Sequence, residues 1–269
     1  MSQSGIANVN ALFQGAIADG SISAQVAQTI NIPDLGAQIQ AGLGVTPDQV
    51  PASEVTLVTM MPDDSGSIRF VRGNTEAVRD GHNLVLDALK TSKQTNGILV
   101  HCRYLNGDVL YPYCPLDQAV RMTPQNYDPD KGTPLYDQIV TLLATVLVKT
   151  KEFLDSGAPV RSVTLIITDG SDQHSVAYRS PQSVRPLVQE LLIKEQHIVA
   201  AMGINDGTTD FRRIFREMGI EDRWILTPNN DPKSIRAAFQ LFSQSCALPA
   251  SQGAASFSKT AMGGGFGAP

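Results

Sequence analysis

In Val55-Thr56-Leu57-Val58-Thr59-Met60-Met61-Pro62-Asp63-Asp64-Ser65-Gly66-Ser67, a near-continuous apolar run gives way across one proline to a turn dense in side-chain oxygens. An apolar run of that kind is a strand buried on both faces of a parallel sheet, because helices cover it above and below. Downstream, Asn74 caps a helix whose apolar positions Ala77, Val78, Gly81, Leu84, Val85, Ala88 and Leu89 recur at three- and four-residue steps. Asn106-Gly107 then separates two apolar runs, 97–104 and 108–114, and such a pair is a hairpin signal that makes those strands antiparallel neighbours. A two-residue turn there sets Leu105 opposite Asp108, Cys102 opposite Tyr111 and Cys114 opposite Leu99. Thr133-Pro134 opens a long helix to residue 154, with proline at its first position and Gly157 beyond its end. Strands over 162–168, 197–204 and 223–227 alternate with helices over 184–194, 210–218 and 232–246. The class expected is α/β: a doubly wound, mostly parallel sheet with one antiparallel edge strand and helices on both faces.

Composition narrows the function. The chain has 269 residues, 42% of them hydrophobic and 17% charged, as in an ordinary globular protein with a full core. Its 26 acidic and 21 basic residues leave a net charge of −5, which repels phosphate backbones and anionic lipid and argues against nucleic-acid and membrane partners. The longest apolar stretch, 139–148, is bounded by Gln138 and Lys149 and is about half of the ~20 residues that span a bilayer. The opening residues carry no basic and apolar leader pattern, so a cytoplasmic protein is expected. Cys102, Cys114 and Cys246 form no Cys-x-x-Cys pair and read as buried free thiols. Three parts are expected: an Ala/Gln-rich extension over 1–50, a domain over 51–247, and a flexible Gly-rich tail over 248–269.

In a doubly wound sheet, ligands bind outside the carboxyl ends of the strands where the strand order reverses. With the first strand central, that point lies between Asp63-Asp64-Ser65-Gly66-Ser67 and Asp169-Gly170-Ser171-Asp172, two segments without Lys or Arg. Asp63, Ser65 and Ser67 present three oxygens at alternate positions, and Gly66 lets the backbone bend around them. Thr133 can add a hydroxyl and Asp169 a second carboxylate. Hard oxygen donors without His or Cys suit Mg²⁺ or Mn²⁺.

These residues resemble the von Willebrand factor A (VWA) family. Asp63-x-Ser65-x-Ser67, Thr133 in Gly132-Thr133-Pro134-Leu135, and Thr168-Asp169-Gly170 match in order and spacing the three parts of that family's metal-ion-dependent adhesion site. The resemblance covers residues 54–247 and implies Asp63, Ser65, Ser67, Thr133 and Asp169 around one Mg²⁺. It also implies a non-enzymatic adaptor or assembly subunit, with an Asp or Glu of a partner protein completing the coordination. By family-level analogy, a chaperone-type ATPase is one such partner. The first 50 residues, the Met61-Pro62 lead-in and the Gly-rich tail have no counterpart in the family's core.

Each signal also has a plainer reading. Asp63 to Ser67 alone reads as an Asx-type turn, Thr133 as a helix cap, and Thr168-Asp169-Gly170 as a common turn. Their joint occurrence at one sheet edge favours the metal. His174 reads as a solvated loop residue bordering the site, Arg212, Arg213 and Arg216 as a solvated helix face, and Trp224 as core. Tyr104, Tyr111 and Tyr113 suit either strand packing or an exposed edge. Leu12, Phe13, Ile17, Leu35 and Ile39 favour packing of the first 50 residues on the domain over a free docking arm. The enzymatic alternative is Mg²⁺-dependent phosphoryl transfer. A phosphatase of the haloacid-dehalogenase type needs a second Asp where Ser65 stands, and a receiver domain needs a Lys where Asn205-Asp206-Gly207 follows its strand. A third alternative is a structural module whose metal meets no partner.

Overall fold

The run that opens at Val55 forms β1 (Val55–Met61), buried at every position and placed near the middle of a six-stranded sheet. The computed structural model describes residues 34–247 except 94, 194 and 195, together with positions 11, 14, 15, 17, 18, 20, 22, 23, 26, 250, 265 and 266. On one side β1 pairs in parallel with β2 (Ile98–Arg103), setting Val58 beside Val100. On the other it pairs in parallel with β4 (Val160–Thr168), setting Val58 beside Val163. β3 (Val109–Pro115), β5 (His197–Gly203) and the two-residue β6 (Ile225–Leu226) complete the order β3-β2-β1-β4-β5-β6, in which β3 alone runs antiparallel. The strand order reverses between β1 and β4, as expected.

Helices cover both faces. α2 (Asn74–Leu89) and α6 (Pro232–Phe242) pack together on one face, so closely that a Cβ on Gly81 would lie 2.1 Å from the Phe239 ring. On the other face α1 (Leu35–Leu43) packs on α3 (Leu135–Asp155), which packs on α4 (Pro181–Ile193). Gly42 permits that contact: a Cβ there would meet Thr145 at 2.9 Å and the His101 ring at 3.2 Å. α5 (Phe211–Glu217) lies beside α4 and β5. Ile22 and Val26 are also buried in the main core, so described parts of the first 50 residues lie on the sheet domain. Leu12 and Phe13 lie outside the described residues, as does most of 248–269, whose expected flexibility is not described; within that tail Phe266 packs edge-on against Trp224 at 5.4 Å. No helix among the described residues is long and apolar enough to cross a membrane.

Local chemistry shifts several expected details. Tyr104 donates its N–H to Asp108 (2.8 Å) and Gly107 donates to Tyr104 (2.9 Å), so the hairpin loop is the three residues 105–107 and Leu105 does not face Asp108. Cys102 sits opposite Tyr111 as expected, but a bulge in β3 puts Cys114 opposite Val100 and not Leu99. The same bulge turns Tyr111 toward His82 on α2 and Tyr113 toward His101 below α1, and both rings are buried core. Gly73, at φ 91°, holds the cap position of α2, and Asn74 bonds Asn230 at 2.5 Å. Trp224 is buried in a 3-10 turn just before β6. Cys102 and Cys114 are buried free thiols, while the Cys246 side chain lies outside the described set.

One buried group breaks the pattern of paired charges. Arg103 has no exposed surface, its Nε and Nη1 have no hydrogen-bond partner, and Nη2 donates to the Gln38 carbonyl of α1. Burial lowers its pKa to about 10.

Candidate metal centre

β1 and β4 end side by side, and the site is built on the two turns that leave them. Asp63 is fully buried, and three of the roughly four acceptor positions of its carboxylate are taken. Its Oδ1 accepts the Ser65 N–H (2.7 Å), and its Oδ2 accepts the Thr168 hydroxyl (2.8 Å) and the Asp169 N–H (3.2 Å). The Asp63 carboxylate therefore ties the two turns to each other. From outside, the Tyr127 hydroxyl donates to the Asp63 carbonyl at 2.5 Å, and along the same turn Gly66 donates its N–H to the Lys131 carbonyl while Lys131 donates its own to the Asp64 carbonyl.

Three oxygens then converge. Asp169 Oδ1 accepts the Ser67 hydroxyl at 2.6 Å and the Ser65 hydroxyl at 3.3 Å, and the two hydroxyl oxygens are 2.9 Å apart. Oxygens bound at right angles around an ion at 2.0–2.1 Å stand about 3 Å from one another, so this triangle has the edge lengths of an octahedral Mg²⁺ shell. Thr133 is buried at the rim, its Oγ1 3.9 Å from where a Cβ on Gly170 would lie. Among the described residues its hydroxyl has no hydrogen bond to the other four side chains, so backbone bonds bring it there.

Electrostatics point the same way. Burial raises the pKa of Asp63, and it raises Asp169 to about 7, with the Asp63 charge adding to the effect. Asp64 is likewise raised to about 7, chiefly by burial. The bases nearest in sequence are engaged elsewhere, Lys131 with Asp130 at 3.2 Å and Arg69 with Asp128 at 2.8 Å. Buried carboxylates without a counter-charge favour a bound cation or protonation. No group of three or more His, Cys, Asp or Glu converges among the described residues; the side chains that meet here are the Asp63 and Asp169 carboxylates and hydroxyls, and oxygen groups of that kind suit Mg²⁺ or Mn²⁺ better than zinc.

Thr133 does not cap α3. Pro134 occupies the cap position and Leu135 begins the helix. The first-turn N–H groups are met instead from the β4 turn: Asp172 accepts from Tyr136 (3.3 Å) and Ser175 from Asp137 (3.1 Å). In return, the Asp137 carboxylate accepts the N–H groups of Val176 (2.7 Å), Ala177 (3.2 Å) and Tyr178 (2.8 Å). His174 Nδ1 accepts the Thr133 N–H, and the Thr133 carbonyl accepts from Gln173 and His174. His174 is thus exposed, as expected, but also fastens the third segment of the site. The supporting roles of Tyr127, Asp172 and Ser175 escape sequence reasoning. Asp172-x-x-Ser175 has the composition of a helix cap, but the N–H that Asp172 accepts, that of Tyr136, lies 36 residues earlier in the chain.

No protein-family model matches the sequence, and no curated protein matches it. Among solved structures, the pilus adhesin SpaC of Lactobacillus rhamnosus GG superposes with a TM-score of 0.53 at 13% identity, over 73% of this chain and 30% of that one. A von Willebrand factor type A protein from Catenulispora acidiphila gives 0.49 at 17% identity, over 74% and 43%. Proximal thread matrix protein 1 of the mussel byssus gives 0.49 at 15% identity, over 74% and 48%. The chain spans less than half the length of each of these three. At such identities the likeness concerns the fold alone. The sheet order, the antiparallel β3 and the helices on both faces make this a VWA-like α/β domain.

Proposed function

We propose that the chain is a non-enzymatic protein-interaction module, working as an adaptor or assembly subunit in the cytoplasm. Asp63, Ser65, Ser67, Thr133 and Asp169 would hold one Mg²⁺ or Mn²⁺, and an Asp or Glu of a partner protein would complete its coordination. The observation that carries this reading is the triangle of Ser65, Ser67 and Asp169 oxygens, 2.6 to 3.3 Å on a side, beside the buried Asp63. Bound there, the ion would supply the positive charge those carboxylates need and a position open to an outside carboxylate. The protein's part is to orient the donors: Thr168 and the Ser65 N–H aim Asp63, and His174 aims Thr133. The partner class includes chaperone-type ATPases by family analogy alone.

The test is calorimetric titration of Mg²⁺ and Mn²⁺ into metal-stripped protein, beside Asp63→Ala and Ser65→Ala. One site, lost in both folded variants, is expected. A folded native protein that takes up neither ion at millimolar concentration would reject the reading.

A further inference from the structure

Beyond residue 247 the described residues are Ala250, Gly265 and Phe266, and they touch the domain at two places. The Ala250 carbonyl accepts the Thr56 hydroxyl and the Arg161 guanidinium, each at 3.3 Å, near the starts of β1 and β4. Gly265 and Phe266 lie against the turn that precedes β6. There the Phe266 N–H donates to the Arg223 carbonyl at 2.9 Å, and its ring meets the Trp224 ring at 5.4 Å with the planes at 90°, a T-shaped geometry that aromatic pairs prefer. Both rings are buried by the contact.

The contact requires a glycine followed by a ring. Gly265 holds φ 58°, and a Cβ on it would lie 2.4 Å from the Arg223 carbonyl oxygen, a backbone atom that cannot swing aside. Of the chain's nine phenylalanines Phe266 alone follows a glycine, and Trp224 is its one tryptophan. The two anchors are closer than the chain between them requires. β6 lies two strands from β4, about 10 Å across the sheet. Pairing through β5 sets Ile225 level with Ile166, so Arg223 stands on the order of 20 Å from Arg161. Residues 251–264 can extend to about 50 Å. A tether of that length holds Phe266 at an effective concentration in the millimolar range, and it also lets the pair reach a neighbouring molecule.

We propose that Trp224 and the Arg223 carbonyl form a binding site for a glycine-aromatic peptide segment, through which copies of this chain link by exchange: Gly265-Phe266 of one copy docks on Trp224 of the next. The occupant is a second copy because every copy carries both halves of the contact and a connection long enough to reach outward. Exchange preserves the contact and changes only which molecule supplies it, as in domain swapping. Separated molecules therefore close on themselves, and molecules held side by side, or given too short a connection, pair with one another. The site is independent of the candidate metal centre.

As the one tryptophan, Trp224 reports the site by fluorescence, measured in EDTA so that the metal centre takes no part. In the full chain, Phe266→Ser should move the emission to longer wavelength and increase quenching by acrylamide. A synthetic peptide of residues 262–268 at millimolar concentration should reverse both changes, and the same peptide carrying Gly265→Val should bind about tenfold or more weakly. Deleting residues 252–263 cuts the reach between Ala250 and Gly265 to about 10 Å, too short to close within one molecule. By sedimentation that variant should form a larger species than the native chain at the same micromolar concentration, with native Trp224 emission, and adding Phe266→Ser should abolish the association. Unchanged emission in Phe266→Ser, no reversal by the peptide, or equal binding of the valine peptide would remove the site. A shortened chain that associates no more than the native one, or whose association survives Phe266→Ser, would remove the exchange.

Discussion

His174 Nδ1 accepts the backbone N–H of Thr133 at 2.9 Å, and its ring fills the space beside Gly132, where a Cβ would lie 2.8 Å from it. The third segment of the candidate centre is therefore positioned by an imidazole from the turn after β4. His174→Ala removes that acceptor, and Gly132→Ala displaces the ring. Both variants should stay folded and bind Mg²⁺ about tenfold or more weakly by calorimetry, the range found when groups that orient metal ligands are removed.

Asp169→Asn separates binding from stability. Asp169 is raised to about 7 by burial and by the Asp63 charge, so above that pH it is ionised at a cost to the metal-free fold. The amide should abolish Mg²⁺ uptake yet raise the melting temperature of metal-free protein at pH 8. A lowered melting temperature there would contradict the assignment.

The metal-free protein should lose stability as pH rises. Asp64 and Asp169 move from 3.8 to about 7 on folding, and Asp63 moves in the same direction. Between those values the folded state binds more protons than the unfolded one, so unfolding free energy falls with increasing pH. Thermal melts in EDTA should show a decline from about pH 4 to about pH 7. Excess Mg²⁺ should reverse it, because its affinity grows as the carboxylates ionise.

Gly81→Ala tests the contact between α2 and α6. The new methyl would lie 2.1 Å from the fully buried Phe239 ring, and overpacking of this kind costs about 1–3 kcal/mol. Urea unfolding should report that loss while calorimetric Mg²⁺ affinity stays at the native value.

Arg103→Met should stabilise. It replaces a fully buried guanidinium with two unbonded nitrogens by an apolar side chain, and such exchanges commonly raise stability by about 1–4 kcal/mol. A fall in the urea midpoint would mean that the Nη2 bond to Gln38 outweighs the buried charge.

Much of this was legible before the structure. β1, β4 and β5 are apolar runs buried on both faces, a pattern that depends on burial alone and survives any detail of packing. Ser65, Ser67 and Asp169 meet for a similar reason: topology sends the ends of β1 and β4 to one edge, whatever the turns contain. What stayed hidden depends on single bonds between distant segments. The β3 bulge that moves Cys114 beside Val100 leaves no compositional mark. The capping of α3 by Asp172 and Ser175, which relieves Thr133 of that role, needs the β4 turn folded over the helix. Tyr127, reaching the Asp63 carbonyl from 64 residues away, looks in the sequence like any loop tyrosine.

The borders of the sheet carry a last consequence. β6 has two residues, and at the opposite margin Val45 donates its N–H to the Tyr113 carbonyl while Pro112 and Pro115 interrupt the donors of β3. A polypeptide seeking to extend the ladder finds no long row of unmet backbone groups at either margin among the described residues, the usual safeguard against fibrous stacking. The domain can thus be crowded beside its own copies in an assembly without its sheets merging.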